Sequence, residues 1–201
     1  MTSYSIPPAL GAFLSLLLGS FVLSRNKKAE INWVFSLVCF FTSLWLASYA
    51  VAYSTPNASL AFICARIACT AVAYVTLFMY HFVVAFLALD KEKWLVWLCH
   101  GVTFGFLIGF FFTDFFLSGT HRYFWGFYSK AGPFHPVYLL ITYAMWLRCF
   151  YLLYASLHKE SFSAKRNQIK YTLTAFIVGM PATIDYLPKY GFEFYPFGFV
   201  F

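Results

Sequence analysis

The sequence predicts an all-α fold: a polytopic bundle of transmembrane helices, with six full spans, the start of a seventh and the N-terminus outside. Three observations predict it. Of 201 residues, 62% are hydrophobic and only 10% are charged, against about 25% charged in soluble domains. The apolar residues fall into long runs, each near the ~20 residues that cross a bilayer as a helix. Lysine and arginine concentrate in alternate turns between those runs, as they do when cytoplasmic loops carry the positive charge.

The first run, Tyr4 to Leu23, follows MTSYSIPP, which has no basic residue. A secretory signal starts basic, so this run is expected to be a retained helix. The turn SRNKKAEIN leads to the second run, Asn32 to Tyr53. There Asn32, Ser36, Cys39, Ser43, Ala47 and Ala50 form a small-residue stripe, which lets helices approach closely in lipid. Pro56 and Asn57 break the chain before the third run, Ser59 to Leu89, which is long enough to tilt. DKEK joins it to the fourth, Trp94 to Phe116.

A long aromatic loop follows, with Trp125, Gly126, Gly132 and Pro133 between His121 and His135. Tyr and Trp favour the membrane–water interface, so the loop is expected to anchor there, with a lid folded back over the bundle as the alternative. The fifth run is Val137 to Leu157 and the sixth Ile169 to Leu187. A seventh begins near Phe192. The ten residues to Phe201 are too few to span, so residues 1–201 are expected to be a single transmembrane domain cut inside its last span.

With the N-terminus outside, the inner turns hold Arg25, Lys27, Lys28, Lys91, Lys93, Lys159, Lys165, Arg166 and Lys170. The outer turns hold only Arg122, Lys130 and Lys189. The net charge of +7 is therefore orientation charge rather than a nucleic-acid footprint. The expected location is the inner (plasma) membrane, multi-pass.

Charges inside spans are costly and call for a role. Arg66, Asp114 and Asp185 are expected at a common depth near the outer side. Arg66, Thr70, Tyr74, Leu77 and His81 share one stripe of the third span, and Thr174, Pro181 and Asp185 share a face of the sixth. The candidate ligand-binding residues are Arg66, Tyr74, Asp114 and Asp185, forming an outward-facing polar pocket. An ion pair that only fixes helix packing would look the same in sequence. Arg148 is expected to face the interior in a hydrogen-bonded packing role. His81 and His100 could meet at similar depth, with polar packing preferred over haem or metal.

The five cysteines lie inside apolar runs without CxxC or zinc spacing. There is no HExxH, GxSxG or Walker loop. Apart from Lys170 at the inner end of the sixth, no lysine lies within the six complete spans. No catalytic residue, metal or cofactor is expected, and enzymatic activity is not expected of this chain.

The stretch KRNQIKYTLTAFIVGMPATIDYLPKYGFEFYPFGFVF resembles the sixth and seventh spans of the bacterial histidine-kinase N-terminal seven-transmembrane region. A basic inner loop, a helix ending Asp-Tyr-Leu-Pro, a Tyr-Gly turn and a Tyr-Pro-Phe-Gly start carry the resemblance. The loop RYFWGFYSKAGPFHPVYL is similar through its Trp-Gly and Gly-Pro-x-His-Pro elements, and INWVFSLVCFFTSLWLASYA through its Asn, Phe and Trp placement. The resemblance implies a sensory input module that detects an extracellular or membrane-borne signal. Its implied partners are membrane lipid, a small-molecule or lipid signal, a cytoplasmic kinase or diguanylate cyclase output domain and a second copy of the chain. A small transporter or channel subunit is the alternative, and it would need a polar path through the whole bilayer.

Overall fold

The computed structural model describes residues 2–198. Among these residues are six α-helices: α1 Ile6–Arg25, α2 Glu30–Ser54, α3 Ala58–Phe86, α4 Lys93–Phe112, α5 His135–Lys159 and α6 Ser163–Gly179. An antiparallel hairpin of β1 Leu117–Tyr123 and β2 Gly126–Ala131 joins α4 to α5. Short 3-10 turns cover Ser3–Ser5 and Asp90–Glu92, and a longer 3-10 segment, Met180–Tyr190, continues α6. Helices α1 to α5 are long and apolar enough to cross a membrane. Their outward faces carry Leu10, Phe13, Phe21, Trp97 and Phe112 exposed, which lipid tolerates and water does not. This is a multi-pass membrane bundle.

The central element is α3, packed by α2, α4, α5 and both strands. Its small residues Ala61, Ala68 and Ala71 are fully buried, so neighbouring backbones come close. The Asn57 side chain starts the helix by accepting from the N–H groups of Ser59 and Leu60 at 2.9 and 3.1 Å, satisfying donors that have no intrahelical partner. Part of the small-residue stripe of α2 packs on α1: Ser36 Oγ donates to Gly19 O at 2.8 Å and Cys39 lies against Gly19, while Ala47 is exposed.

Three expectations about the spans change. The fourth span stops at Phe112 rather than Phe116, because Thr113 turns extended (φ −136°, ψ 161°) and its hydroxyl donates back to Gly109 O at 2.6 Å. Asp114 therefore lies in a connection, not within a span. The sixth span is not one α-helix: α6 ends at Gly179 and the chain continues as 3-10. Pro181 and Pro188 remove backbone donors there, and the tighter winding of about 3.0 residues per turn replaces 3.6. Thr174 is consequently exposed while Asp185 is buried, so the two do not share a face. Of the seventh run, residues 192–197 form no helix, and its last three residues, 199–201, lie outside the described part.

The aromatic loop folds back over the bundle, the alternative expected from its composition. Its hairpin enters the end of the bundle, with Trp125 only 1% exposed and Tyr128 and Ser129 buried. Gly126 permits this: its φ is +135°, and a Cβ there would stand 2.5 Å from Tyr53 Cα. Register pairs Tyr123 with Gly126 across the two-residue turn.

At the opposite end, Arg148 reaches the turn Asp90–Glu92 instead of the interior. Its Nε and Nη2 both donate to the Glu92 carboxylate, the former at 3.3 Å, and Tyr80 OH donates to the same group at 2.7 Å. Glu92 precedes the apolar run of α4, and the Arg148 guanidinium beside it holds its carboxyl below the usual carboxylate range. The rings of His81 and His100 meet edge-on at 5.7 Å, and His81 Nε2 lies 3.1 Å from Glu30 Oε1.

Candidate functional site

A cavity of about 470 Å³ opens inside the bundle, bounded by α1, α2, α3, α5, α6 and the 3-10 segment. Much of its wall is apolar, with Leu14, Val38, Val75, Met79 and Trp146. Toward the hairpin it becomes polar, where Tyr49, Tyr128, Asp185 and Lys189 line it. Such a body with a few convergent polar groups is the usual form of a small-molecule site.

The polar end is assembled from four elements. Lys189 of the 3-10 segment is 3% exposed, and its Nζ donates to Cys69 Sγ of α3 at 2.8 Å. Tyr49 OH of α2 is 2.9 Å from Ser129 Oγ of β2. Tyr49 also stacks on Tyr128, with centroids 4.8 Å apart and planes 14° apart. Tyr128 OH donates to Asp185 O at 2.7 Å, and Tyr123 OH to Pro188 O at 2.7 Å. Burial pushes the Tyr128 phenol well above its usual range, so it keeps the proton it donates. The hairpin thereby fastens the 3-10 segment in place.

Asp185 is 7% exposed. Its carboxylate accepts the N–H of Phe197 at 3.0 Å and of Gly198 at 2.7 Å. Those two bonds join the cavity wall to the start of the last apolar run. Gly198 has to be glycine here, since a Cβ would overlap Asp185 Oδ2.

The four candidate residues from the sequence do not converge. Arg66 Nη2 donates to Asp114 Oδ1 at 2.9 Å and Nη1 to Phe111 O at 2.9 Å. The Asp114 side chain is 75% exposed, so this pair sits at the bundle surface. Tyr74 stacks on Phe41 at 4.8 Å. At 3.6 residues per turn, the stripe Arg66, Thr70, Tyr74 lies on the opposite side of α3 from Val72, Thr76 and Met79, which face the cavity. Only Asp185 of the four lines it. Sequence reasoning missed Lys189, placed in an outer loop, and the tyrosines Tyr49 and Tyr128. The one signal available was the spacing Asp185-x-x-x-Lys189 beside two prolines, which is a weak one. Among the described residues, no group of three or more His, Cys, Asp or Glu is arranged to hold a metal.

Fold and site together define a multi-pass helical membrane domain with an internal cavity closed at one end by an inserted β-hairpin. The family model described as the N-terminal 7TM region of histidine kinase matches residues 7–201, and the chain belongs to that family. Comparison with curated proteins and with solved structures gives no match.

Proposed function

We propose that this chain is a sensory input module that binds an extracellular or membrane-borne signal in the cavity and relays it to a cytoplasmic output domain, a histidine kinase or a diguanylate cyclase. One observation carries the reading. Asp185 lines the cavity and holds the N–H groups of Phe197 and Gly198. A ligand that shifts the 3-10 segment therefore moves the beginning of the last apolar run. The family is described as a 7TM region, so this run is read as the lead into the seventh span. It leads toward the cytoplasm when the N-terminus is outside. The polar end of the cavity, at Lys189, is where we place the signal. Catalysis belongs to the output domain, not to this bundle.

Charge placement favours a sensor over a transporter or channel. The Lys189–Asp185 cluster lies at the hairpin end and the Tyr80–Glu92–Arg148 cluster at the other. Between them α3 offers the cavity mostly Val72, Val75 and Met79. Proteoliposomes are expected to show no substrate flux.

In a protein carrying the output domain, Asp185→Asn is expected to weaken the signal response while membrane insertion is unchanged. Arg66→Ala, remote from the cavity, is expected to respond as the parent does. A normal response from Asp185→Asn, measured as output phosphorylation or cyclase product, would remove the relay.

A further inference from the structure

The geometry points to Lys189 as the anchor for the anionic head of a single-chain amphiphile whose apolar body occupies the cavity. This deepens the sensor reading and rests on it. An ammonium withdrawn from water is strongly unfavourable unless an anion accompanies it, and an ionisable side chain inside a membrane bundle usually marks a functional site. Lys189 is 3% exposed, and its hydrogen-bond partner is a thiol, Cys69 Sγ, a weak acceptor. Its ammonium also lies 5.3 Å from the Tyr186 ring centroid.

Among the described residues, no acidic side chain forms an ion pair with it. The sequence holds seven acidic residues. Glu30, Asp90, Glu92 and Asp114 pair with His81, Lys93, Arg148 and Arg66 respectively. Glu160 accepts the N–H of Phe162, and Glu193 is exposed. Asp185 shares the cavity wall, but its two oxygens accept the N–H groups of Phe197 and Gly198, and no ion pair within 4 Å joins it to Lys189 among the described residues. The site thus has a buried cation and tyrosine hydroxyls at one end, with Val75, Met79 and Trp146 beyond. An anionic head with an aliphatic or aromatic body matches that order. A volume of about 470 Å³ suits a small molecule with one chain; a diacyl lipid is too large.

The test is direct binding to the purified chain in zwitterionic nanodiscs, using decanoate, decyl phosphate and decanol. Saturable binding of decanoate or decyl phosphate is expected, at least tenfold tighter than decanol. The tighter of the two anions identifies the head as carboxylate or phosphate. Lys189→Met should abolish the preference for the anions, and Lys189→Arg should keep it, with thermal melts showing both variants folded. If Lys189→Met does not fold, Lys189→Gln takes its place. Equal affinity for decanol, no saturable binding of either anion, or an unchanged preference in the neutral variant would overturn the proposal. The sensor reading is separated by Ala182→Phe, which fills the cavity wall. If this variant, made in a protein carrying the output domain, alters kinase or cyclase output although the anions do not bind, the sensor reading survives and only the ligand class fails. An unaltered output would count against the sensor reading itself.

Discussion

Gly198 and Asp185 show how much one contact can carry. The backbone N–H groups of Phe197 and Gly198 are held by a carboxylate that also faces the cavity. A methyl at position 198 collides with Oδ2. Gly198→Ala is therefore expected to break this fastening and cost about 1–3 kcal/mol, the usual penalty for a buried polar group losing its partners. Denaturant titration in detergent would measure it, and an unchanged midpoint would mean the contact contributes nothing. Arg66 is the counterexample. Its partner Asp114 is mostly exposed, so the ion pair contributes only about 0.2–1 kcal/mol, and the bond to Phe111 O adds about 0.5–1.5 kcal/mol. Arg66→Ala is expected to cost no more than the sum of those two contributions in the same titration. Both residues looked alike in the sequence, as charges within apolar runs. Which one mattered depended on the side of α3 and on where α4 ended, and neither is a local property.

Among the elements, the hairpin is the one whose role differs most from its composition. Five of the six residues from Tyr123 to Tyr128 are aromatic, and such a composition usually marks an interface. Instead Trp125 stacks on Tyr123 at 4.5 Å and packs into a core with Tyr49 and Tyr53 of α2 and Ala61 of α3. Truncating a fully buried Trp typically costs about 3–5 kcal/mol. Trp125→Ala should release the hairpin and expose Arg122 and Lys130 to trypsin. Protection equal to the parent protein would show that the hairpin is held by its tyrosine bonds alone. The 3-10 segment follows a related logic. Pro181 was legible as a weak point of the sixth span. That the winding would change there, turning Asp185 and Lys189 inward and leaving Thr174 outside, was not. A change of period from 3.6 to 3.0 residues per turn shifts every later face.

For the whole molecule, two polar clusters close the ends of an apolar bundle. The cluster at Glu92 makes a pH prediction. Its carboxyl is held below the usual range by the Arg148 guanidinium, so its contribution to stability is complete above the ordinary carboxylate value of about 4.3. That contribution is lost as pH falls through the lower value of the folded state. Melting temperature in detergent should drop on acidification through that window, and Glu92→Gln should start lower and lack the step. A step of equal size in Glu92→Gln would assign it to another carboxylate. Orientation is tested separately by labelling: single cysteines at positions 27 and 165 should be reached only from the cytoplasmic side, and one at position 130 only from outside.

The sequence by itself determined that this chain spans a membrane several times, where its apolar runs lie and which turns are basic, because lipid imposes length and charge rules on each segment independently. It also carried the family, through motifs in the last third and in the hairpin. The cavity belonged to the tertiary structure alone. Lys189, Cys69, Tyr49 and Tyr128 come from four separate elements and meet only after the hairpin inserts and α6 gives way to 3-10 winding. Helix faces and side-chain depth are set by packing between segments, and no segment records the neighbours it will meet.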